Sequence, residues 1–353
     1  MVEEEVGASD PTASARTVAD LVTTAAARRP QRLALVDGMR RISWAELERW
    51  VEATAQALPA SGLAAGDRVA VQLPSSLEFV ETYLGGLRAG LVVVPVNPTY
   101  TRPELQEILA ESGARVLVTS SIAALSDAEA LRGELPALEH VIAVLPGSSA
   151  ATPPDGTISF SGLVGAHLDP SGDPGGDPRP ERPPLESPPG QRRPEEPLRE
   201  GPQPEDVAVL LFTSGTGGRP KGAMLTHRAL LANLRQAHAV TPPLLSAEDV
   251  VLLAMPLFHS YGLNAGLGVA LAHGSVSVLL DRFDVATSLR LMEEERVSVL
   301  LGAPAMFAAW AAAPQLAAAT SGVRFALSGA APLPAALVAR FAAVGVPRHE
   351  GYG

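Results

Sequence analysis

Short runs rich in Val and Leu recur along the chain without the polar alternation of a half-exposed strand. Strands that are apolar on both sides are typical of a parallel sheet covered by helices on both faces. The stretches between these runs have helical patterns, so the sequence predicts an α/β fold. In the first part the predicted strands are Asp67–Leu73, Leu91–Val96 and Ala114–Thr119, separated by the predicted helices Ser75–Arg88 and Pro103–Glu111.

The second part of the chain continues this alternation. A helix is predicted from His227 to His238, and another runs to Glu295 from Asp284, which is a suitable N-cap residue. We therefore predict two mostly parallel-sheet subdomains, each with helices on both faces of its sheet. The predicted strands here are Val207–Phe212, Val250–Met255, Ser275–Leu280, Val297–Leu301 and Val323–Leu327.

Composition divides the chain into segments of different character. Proline removes backbone donors and blocks helices, and a segment with little apolar surface cannot offset its ordering entropy. The expected parts are a disordered polar tail at 1–16 and one domain at 17–353, made of a first subdomain (17–147), a Pro/Gly-rich insertion (148–204, disordered from 170 to 204) and a second subdomain (205–353).

Charge and composition exclude several classes of protein. The net charge of −11 argues against a general nucleic-acid binder, which would present a basic face. The absence of cysteine excludes disulfide scaffolds, zinc–thiolate sites and thiol nucleophiles. The first residues, Met1–Glu5, are acidic where a signal peptide is basic. The sequence also contains no run of about 20 apolar residues, the length needed to span a bilayer. We expect a cytoplasmic protein; peripheral membrane contact and the oligomeric state stay open.

A Gly-rich loop follows the strand that ends at Phe212. It reads Thr213, Ser214, Gly215, Thr216, Gly217 and Gly218, and Lys221 comes three residues later. Glycines allow the backbone N–H groups to approach a polyphosphate, hydroxyls add donors, and lysine adds a compact positive charge. By composition alone, an ordinary flexible loop is an equally good interpretation.

Two familiar phosphate-binding motifs do not match this loop. A Walker loop requires Gly-Lys-Ser/Thr, whereas Lys221 lies between Pro220 and Gly222. A dinucleotide-binding loop requires G-x-G-x-x-G, and counting from Gly215 places Pro220 at the last glycine. If the loop binds phosphate, it does so in another type of site.

The run from Leu211 to His227 resembles the signature loop of the adenylate-forming (AMP-binding) superfamily. The similarity is to acyl-CoA synthetases of the long-chain fatty-acid–CoA ligase type, and it covers their N-terminal part. One position departs from the pattern, because the family usually has a hydroxyl residue where this chain has Gly217. The missing donor would weaken phosphate binding by about 1 kcal/mol.

Three later segments resemble further motifs of this family in the expected order. In Pro256–Gly262, His259 would lie by the acyl pocket, although a single His at a strand end is by itself more often structural. Ser328–Leu333 resembles the segment along the adenine, and Gly302 begins a turn that resembles a pocket-lining one. Glu350–Gly353 resembles the start of the motif whose Tyr stacks on adenine.

The resemblance implies a set of site residues. Catalytic roles fall to Lys221 and His259; nucleotide contacts to Thr213, Ser214, Gly215, Thr216, Gly217, Gly218, Lys221, Gly329, Ala330, Ala331, Gly351, Tyr352 and Gly353; and acyl-pocket contacts to His259, Tyr261, Gly262 and Gly302. We find no residue spacing that indicates a protein-bound metal. Mg²⁺ is expected to arrive with ATP, and the Glu that holds it in this family would follow Gly353.

The implied activity is ATP-dependent activation of a carboxylic acid to acyl-AMP, followed by transfer to CoA. Its partners would be a small-molecule carboxylate, ATP with Mg²⁺, and CoA as co-substrate. Because the sequence stops at Gly353, we expect an incomplete form with little turnover alone and an incomplete CoA site. Two alternatives stay open: a non-catalytic nucleotide- or acyl-binding module, and a fragment of a peptide-synthetase adenylation domain.

Overall fold

A computed structural model describes residues 12–145, 153–168, 201–213, 220–241 and 243–350. Internal contacts divide the chain into two compact units, each assembled from segments that are separate in sequence. The first unit comprises Met1–Glu48, Leu73–Val80 and Leu225–Gly353, and the second comprises Arg49–Gln72 and Glu81–Met224.

The described residues contain strands and helices in regular succession. The strands are β1 (Leu33–Asp37), β2 (Arg40–Ser43), β3 (Arg68–Gln72), β4 (Val92–Pro95), β5 (Val116–Thr119), β6 (His140–Ala143), β7 (Ile158–Ser159), β8 (Val207–Thr213), β9 (Lys221–Thr226), β10 (Val250–Leu253), β11 (Val276–Leu279), β12 (Val299–Gly302), β13 (Phe325–Ser328) and β14 (Arg348–Glu350). The helices are α1 (Asp20–Arg28), α2 (Trp44–Ala60), α3 (Leu77–Arg88), α4 (Arg102–Ser112), α5 (Ile122–Ser126), α6 (Ala128–Glu134), α7 (Phe160–Leu168), α8 (His227–His238), α9 (Val269–His273), α10 (Val285–Glu294), α11 (Pro304–Ala311), α12 (Leu316–Ala319) and α13 (Ala335–Ala343). A π-helix spans Tyr261–Gly268.

The first unit is built on a seven-stranded sheet with the order β14-β13-β12-β10-β11-β1-β2. All neighbouring pairs are parallel except β1 and β2. The strands β10 to β13 are largely apolar and are buried on both faces, as in a covered parallel sheet. Behind them lies an aromatic cluster in which the Phe307 ring meets Trp310 and Phe341 edge-on. This rigid sheet fixes the positions of the loops that follow its strands.

The second unit contains a second seven-stranded sheet, with the order β7-β6-β5-β3-β4-β8-β9. The pairs from β7 to β8 are parallel. Its core joins strand residues such as Val94 and Leu117 to Ile108 of α4 and Leu131 of α6. The strand β8, which leads into the Gly-rich loop, is thereby held beside β4.

The predicted α/β fold with two mostly parallel sheets is confirmed. Two helix starts carry side-chain caps: Ser43 and Glu46 form a capping box at α2, and the side chain of Asp284, the predicted N-cap, accepts from the Thr287 N–H at 2.7 Å. The two units nevertheless interleave along the chain, unlike the sequential subdomains expected from composition. Strands β1 and β2 join the sheet of the second half, and β8 joins the sheet of the first half. Hydrophobic pattern predicts a strand but does not tell which sheet it joins.

The polar tail and the Pro/Gly-rich insertion lie partly within the described residues. Thr12, in the predicted tail, is fully buried, and its carbonyl accepts from Arg235 Nη2 at 2.9 Å. Within the expected insertion, 153–168 contain β7 and α7, whereas 169–200 lie outside the described residues. No helix in the described part of the chain is both long and apolar enough to cross a membrane.

Candidate active site

The motifs identified in the sequence follow neighbouring strands of the first sheet. Pro256–Gly262 comes shortly after β10, Gly302 ends β12, and Ser328 ends β13. Because β14, β13, β12 and β10 are adjacent and parallel, these segments meet at the carboxyl edge of the sheet. Ligands of open α/β sheets bind at this edge. Glu350 ends β14 opposite Ser328, and Gly351, Tyr352 and Gly353 lie outside the described residues.

Tyr261 joins three of these segments. Its hydroxyl donates to the carbonyl of Leu327 at 3.0 Å, and its ring lies against Gly329. The Gly329 N–H in turn donates to the carbonyl of Gly302 at 3.1 Å. Burial raises the pKa of the Tyr261 hydroxyl well above its usual value, so the group stays a protonated donor. The three motifs therefore form one hydrogen-bonded edge.

Two glycines of the predicted site, Gly329 and Gly262, are required by this packing, and a third, Gly302, is tightly packed. A methyl group on Gly329 would lie 2.9 Å from two ring carbons of Tyr261, and one on Gly262 would lie 2.2 Å from the Pro256 carbonyl oxygen. On Gly302 a methyl would meet the rings of Trp310 and Phe307 at 3.2–3.3 Å. Protein atoms thus block the side-chain position of Gly329 and Gly262 and closely border that of Gly302.

His259 lies in the turn between β10 and the π-helix. Its N–H donates to the Pro256 carbonyl at 3.1 Å, and its ring lies beside that of Phe258, with centroids 4.7 Å apart. His259 is exposed to solvent, but desolvation by the protein atoms around its ring lowers its pKa below the usual value. The side chain is therefore neutral at pH 7 and can donate one hydrogen bond and accept another.

A π-helix follows His259 directly and spans Tyr261–Gly268. π-Helices are rare, and they occur often at functional sites. Within it, Asn264 donates to the Asn233 side chain at 2.8 Å and thereby ties the segment to α8. No sequence pattern used above predicts this element, because its hydrophobic spacing is shared with an ordinary α-helix.

The Ser328–Leu333 segment carries local backbone strain at Ala330. Ala330 has a φ of 72°, a left-handed conformation that costs a non-glycine residue about 1–2 kcal/mol. Ala330 and Ala331 are exposed, whereas Gly329 and Ser328 are buried. Residues held in such conformations cluster at ligand-binding turns. The strained turn presents its backbone to solvent at the carboxyl edge of the sheet.

The second unit carries the two ends of the Gly-rich loop. Thr213 is exposed at the end of β8, and Lys221 is exposed at the start of β9. Gly222 lies beneath Leu210 and Phe212 of β8, with 2.7 Å from its would-be methyl group to Leu210 Cδ1. Strands β8 and β9 are neighbours in the sheet, so Thr213 and Lys221 lie on adjacent strands. The predicted contacts Ser214, Gly215, Thr216, Gly217 and Gly218 lie outside the described residues.

Lys221 has a compositional distinction that motif matching overlooks. Of the 27 Lys and Arg residues in the chain, it is the only lysine. Arginine is a planar, five-donor group, whereas lysine is a compact point charge, so the two are not interchangeable at a phosphate. Arginine thus serves every other cationic side-chain position of Lys or Arg type, and the single lysine lies at the end of the Gly-rich loop.

Thr226 and His227 form a helix start. The Thr226 hydroxyl accepts from the Ala229 N–H at 3.1 Å, and His227 is fully buried. The described residues also contain no group of three or more His, Asp or Glu side chains that could hold a metal ion. None of these side chains is assigned to Mg²⁺.

The sequence matches the family model described as "AMP-binding enzyme" over residues 22–353. The chain belongs to this family. The feruloyl-CoA synthase of Amycolatopsis sp. is 32% identical over 92% of this chain and 56% of its own length. The long-chain-fatty-acid–CoA ligase of Bacillus subtilis is 29% identical over 96% of this chain and 60% of its own length.

A solved relative supports the same assignment. ATP-bound MatB from Rhodopseudomonas palustris superposes with a TM-score of 0.74 at 28% identity, over 95% of this chain and 59% of that one. The AMP-binding chain thus spans a little over half the length of these proteins. The resemblance found in the sequence is confirmed, and the relatives are CoA ligases.

Proposed function

We propose that this AMP-binding chain binds ATP and a carboxylic acid for acyl-AMP formation, the first step of an acid–thiol (CoA) ligase. The observation that carries the proposal is the convergence of the His259, Gly302 and Gly329 segments at one sheet edge, linked through Tyr261. Family membership and CoA-ligase relatives support it.

The proposed reaction consists of two substitutions. A carboxylate oxygen attacks the α-phosphorus of ATP, the bond to the β,γ-phosphates breaks, and pyrophosphate leaves. The thiol of CoA then attacks the acyl carbon, its proton goes to solvent, and AMP leaves. Charge grows on the phosphate oxygens in the first step, so fixed positive charge and N–H donors lower its barrier.

Each site residue has a proposed part in this reaction. Lys221 neutralises the polyphosphate, and the backbone of the 213–222 loop supplies N–H donors. His259, neutral at pH 7, orients the carboxylate by a hydrogen bond. The strained turn at Ala330 and Ala331 lies along the adenine. Tyr261 and Gly262 line the acyl side.

Mg²⁺ and CoA enter the proposal only as partners of the family's reaction. No described group of three or more acidic or His side chains fits a metal ion, so the chain's own contribution to phosphate neutralisation is Lys221. CoA is proposed as the acyl acceptor because the relatives are CoA ligases. Fatty acids are one candidate class of carboxylate.

Calorimetric titration of the chain with ATP and with AMP tests the proposal. Replacing Lys221 by Arg keeps the charge but changes its shape, and we expect ATP affinity to fall about 10- to 100-fold, as expected for losing a hydrogen bond to a charged group. Arg290→Lys, an exposed helix position, is the matched control and should not change affinity. No measurable ATP binding by the unaltered chain contradicts the proposal.

A second experiment separates an enzyme from a binding module. The chain is incubated with ATP, Mg²⁺ and a panel of carboxylic acids, and acyl-AMP is sought by mass spectrometry. Nucleotide binding without acyl-AMP, after an incubation long enough to detect a single turnover per protein molecule, favours the non-catalytic module. Acyl-AMP in amounts that track the enzyme concentration favours the ligase half-reaction.

A further inference from the structure

We propose that His238 and His273 bind one divalent metal ion of the class that imidazole prefers, such as Zn²⁺ or Ni²⁺. The inference goes beyond the proposed function, because it uses no residue of the candidate active site. His238 Nδ1 and His273 Nε2 lie 3.2 Å apart, and both side chains are half-buried, so an ion can reach them from solvent. Imidazole nitrogen is a suitable ligand for zinc, copper and nickel.

The two histidines lie at the ends of a packed pair of helices. One helix is α8, and the other is the π-helix that continues directly into α9. The Asn264 side chain donates to that of Asn233 at 2.8 Å, and further along both helices His273 meets His238. The helices therefore run in the same direction and end side by side. Their packing sets the separation of the two rings before any ion binds.

The tautomer of His273 suits a metal ligand. Its Nδ1 lies 2.9 Å from the carbonyl oxygen of Val269, which can only accept, so Nδ1 carries the proton. In the neutral ring Nε2 then has the lone pair, and this is the nitrogen that faces His238. Metal-binding histidines almost always donate their other ring N–H to a carbonyl, a carboxylate or water, which fixes the ring and raises its basicity. His273 already has this second hydrogen bond.

His238 must change its tautomer when the ion binds. Because His273 Nε2 accepts, the contact between the rings requires the His238 proton on Nδ1. An ion at the site takes the Nδ1 lone pair, and the proton moves through solvent to Nε2 of the same ring. Both rings stay neutral, and no net proton is released.

The separation of the two nitrogens fits one shared ion. Zinc–imidazole bonds are about 2.0–2.1 Å long, so nitrogens 3.2 Å apart subtend about 100–106° at the ion, close to the tetrahedral angle. A hydrogen bond straight along both ring axes would separate the centroids by 3.2 Å plus two ring radii, which exceeds the observed 4.9 Å. The ring axes are therefore bent away from the line between the nitrogens, as two ligands of one ion require.

The position of the pair in the fold favours a cation. His238 is the last residue of α8 and His273 the last of α9, and helix C-termini carry partial negative charge. Gly274 then leads towards β11, whose start pairs with the start of β10. The pair thus lies by the amino edge of the first sheet, opposite the edge that carries the candidate active site. A bound ion would tie together the chain segments that enter β10 and β11.

Two imidazoles supply half of a tetrahedral shell. The part of the chain that the structure describes brings no third His, Asp or Glu into such a group, so water completes the coordination. Structural zinc sites are closed by four protein ligands, so this site should hold its ion reversibly. Mg²⁺ prefers oxygen ligands and should not compete.

Zinc titration of the 353-residue chain in competition with a colorimetric zinc indicator tests the proposal. His238→Gln and His273→Gln each leave one imidazole. We expect each to weaken Zn²⁺ binding at least about 10- to 100-fold, since losing even an outer-shell partner costs that much. His167→Gln, on α7, is the matched control and should leave the affinity unchanged. Equal zinc affinity in the control and in both variants of the pair overturns the proposal.

Imidazole ¹⁵N NMR spectra of the unaltered chain decide the question even if a variant fails to fold. One equivalent of Zn²⁺ should shift the resonances of His238 Nδ1 and His273 Nε2 together, whereas Mg²⁺ should shift neither. Zn²⁺ should also raise the unfolding temperature of the unaltered chain more than that of His238→Gln. Shifts that appear first at other histidines, or at only one of these two, would indicate an adventitious ion only and overturn the inference.

Discussion

The contact between Tyr261 and Gly329 yields a prediction that can be worked out from the structure. In Gly329→Ala the new methyl group lies 2.9 Å from two ring carbons, about 0.6–1 Å closer than carbon atoms normally approach. The ring can retreat only by lengthening its 3.0 Å hydrogen bond to Leu327. Overpacking costs about 1–3 kcal/mol and the weakened hydrogen bond about 0.5–1.5 kcal/mol, so we expect a loss of roughly 2–4 kcal/mol in unfolding free energy.

A double-mutant cycle isolates this contact. Urea unfolding followed by circular dichroism is compared for Gly329→Ala, Tyr261→Ala and the double variant. In the Tyr261→Ala background the new methyl group meets no ring, so Gly329→Ala should cost less than about 0.5 kcal/mol. The coupling free energy between the two substitutions should then approach the full cost of Gly329→Ala in the unaltered chain. Gly133→Ala, in open space on α6, is the control and should stabilise slightly. An equal cost in both backgrounds refutes the contact as the reason for glycine at 329.

Three further predictions concern charge and packing. Burial lowers the pKa of His259, so the midpoint of its NMR titration should fall below about 6.5. The unfolded state then binds more protons than the folded state, so the contribution of His259 to stability rises with pH in the window below 6.5. A midpoint above 6.5 contradicts the burial. Burial alone would raise the pKa of Asp249, but hydrogen bonds from Arg324 and Ser298 lower it to about 2. The contribution of Asp249 to folding stability is therefore complete above the usual pKa near 3.8 and is lost as the pH falls through 2. Stability that stays constant between pH 4 and 2 in the unaltered chain but not in Asp249→Asn would argue against this. Asp249→Asn should cost about 1.5–3 kcal/mol in urea unfolding, because the buried carboxylate loses charge-assisted hydrogen bonds from Arg324 and Ser298. Glu294→Gln, in an exposed pair with Arg290, should cost less than about 0.5 kcal/mol, and similar losses would remove the distinction between the two pairs.

Much of the fold follows from local sequence signals. The helix His227–His238 has the predicted limits, and the strand cores of β3, β4, β5 and β8 lie inside the predicted runs. Caps at Ser43 and Asp284 form as their residue types suggest. These elements are predictable because apolar spacing and capping act over only a few residues.

The arrangement of the elements is less accessible from the sequence. Nothing local tells that β1 pairs with β11, more than 230 residues along the chain, or that β8 pairs with β4. The π-helix was not predicted, because a single extra residue per turn leaves the apolar pattern of Tyr261–Gly268 looking helical. Such features depend on tertiary packing, which overrides local propensity.

The candidate site divides in the same way. The motif order placed His259, Gly302 and Gly329 in one family pattern, and the sheet order explains why they converge. The reason for the glycines was not predictable: at Gly329 the group that approaches is Tyr261, a residue 68 positions earlier. That Lys221 is the single lysine of the chain, by contrast, follows from the sequence alone by counting lysines.

The single lysine permits a direct test of the central claim, that the 213–222 loop binds the phosphates of ATP. An amine-specific acylating reagent can modify only Lys221 and the α-amino group, which serves as the internal reference. Peptide mass spectrometry then gives the modification rate of each with and without ATP. We predict that saturating ATP slows modification of Lys221 at least tenfold and leaves the α-amino group unchanged. Equal rates at Lys221 with and without ATP would contradict the claim.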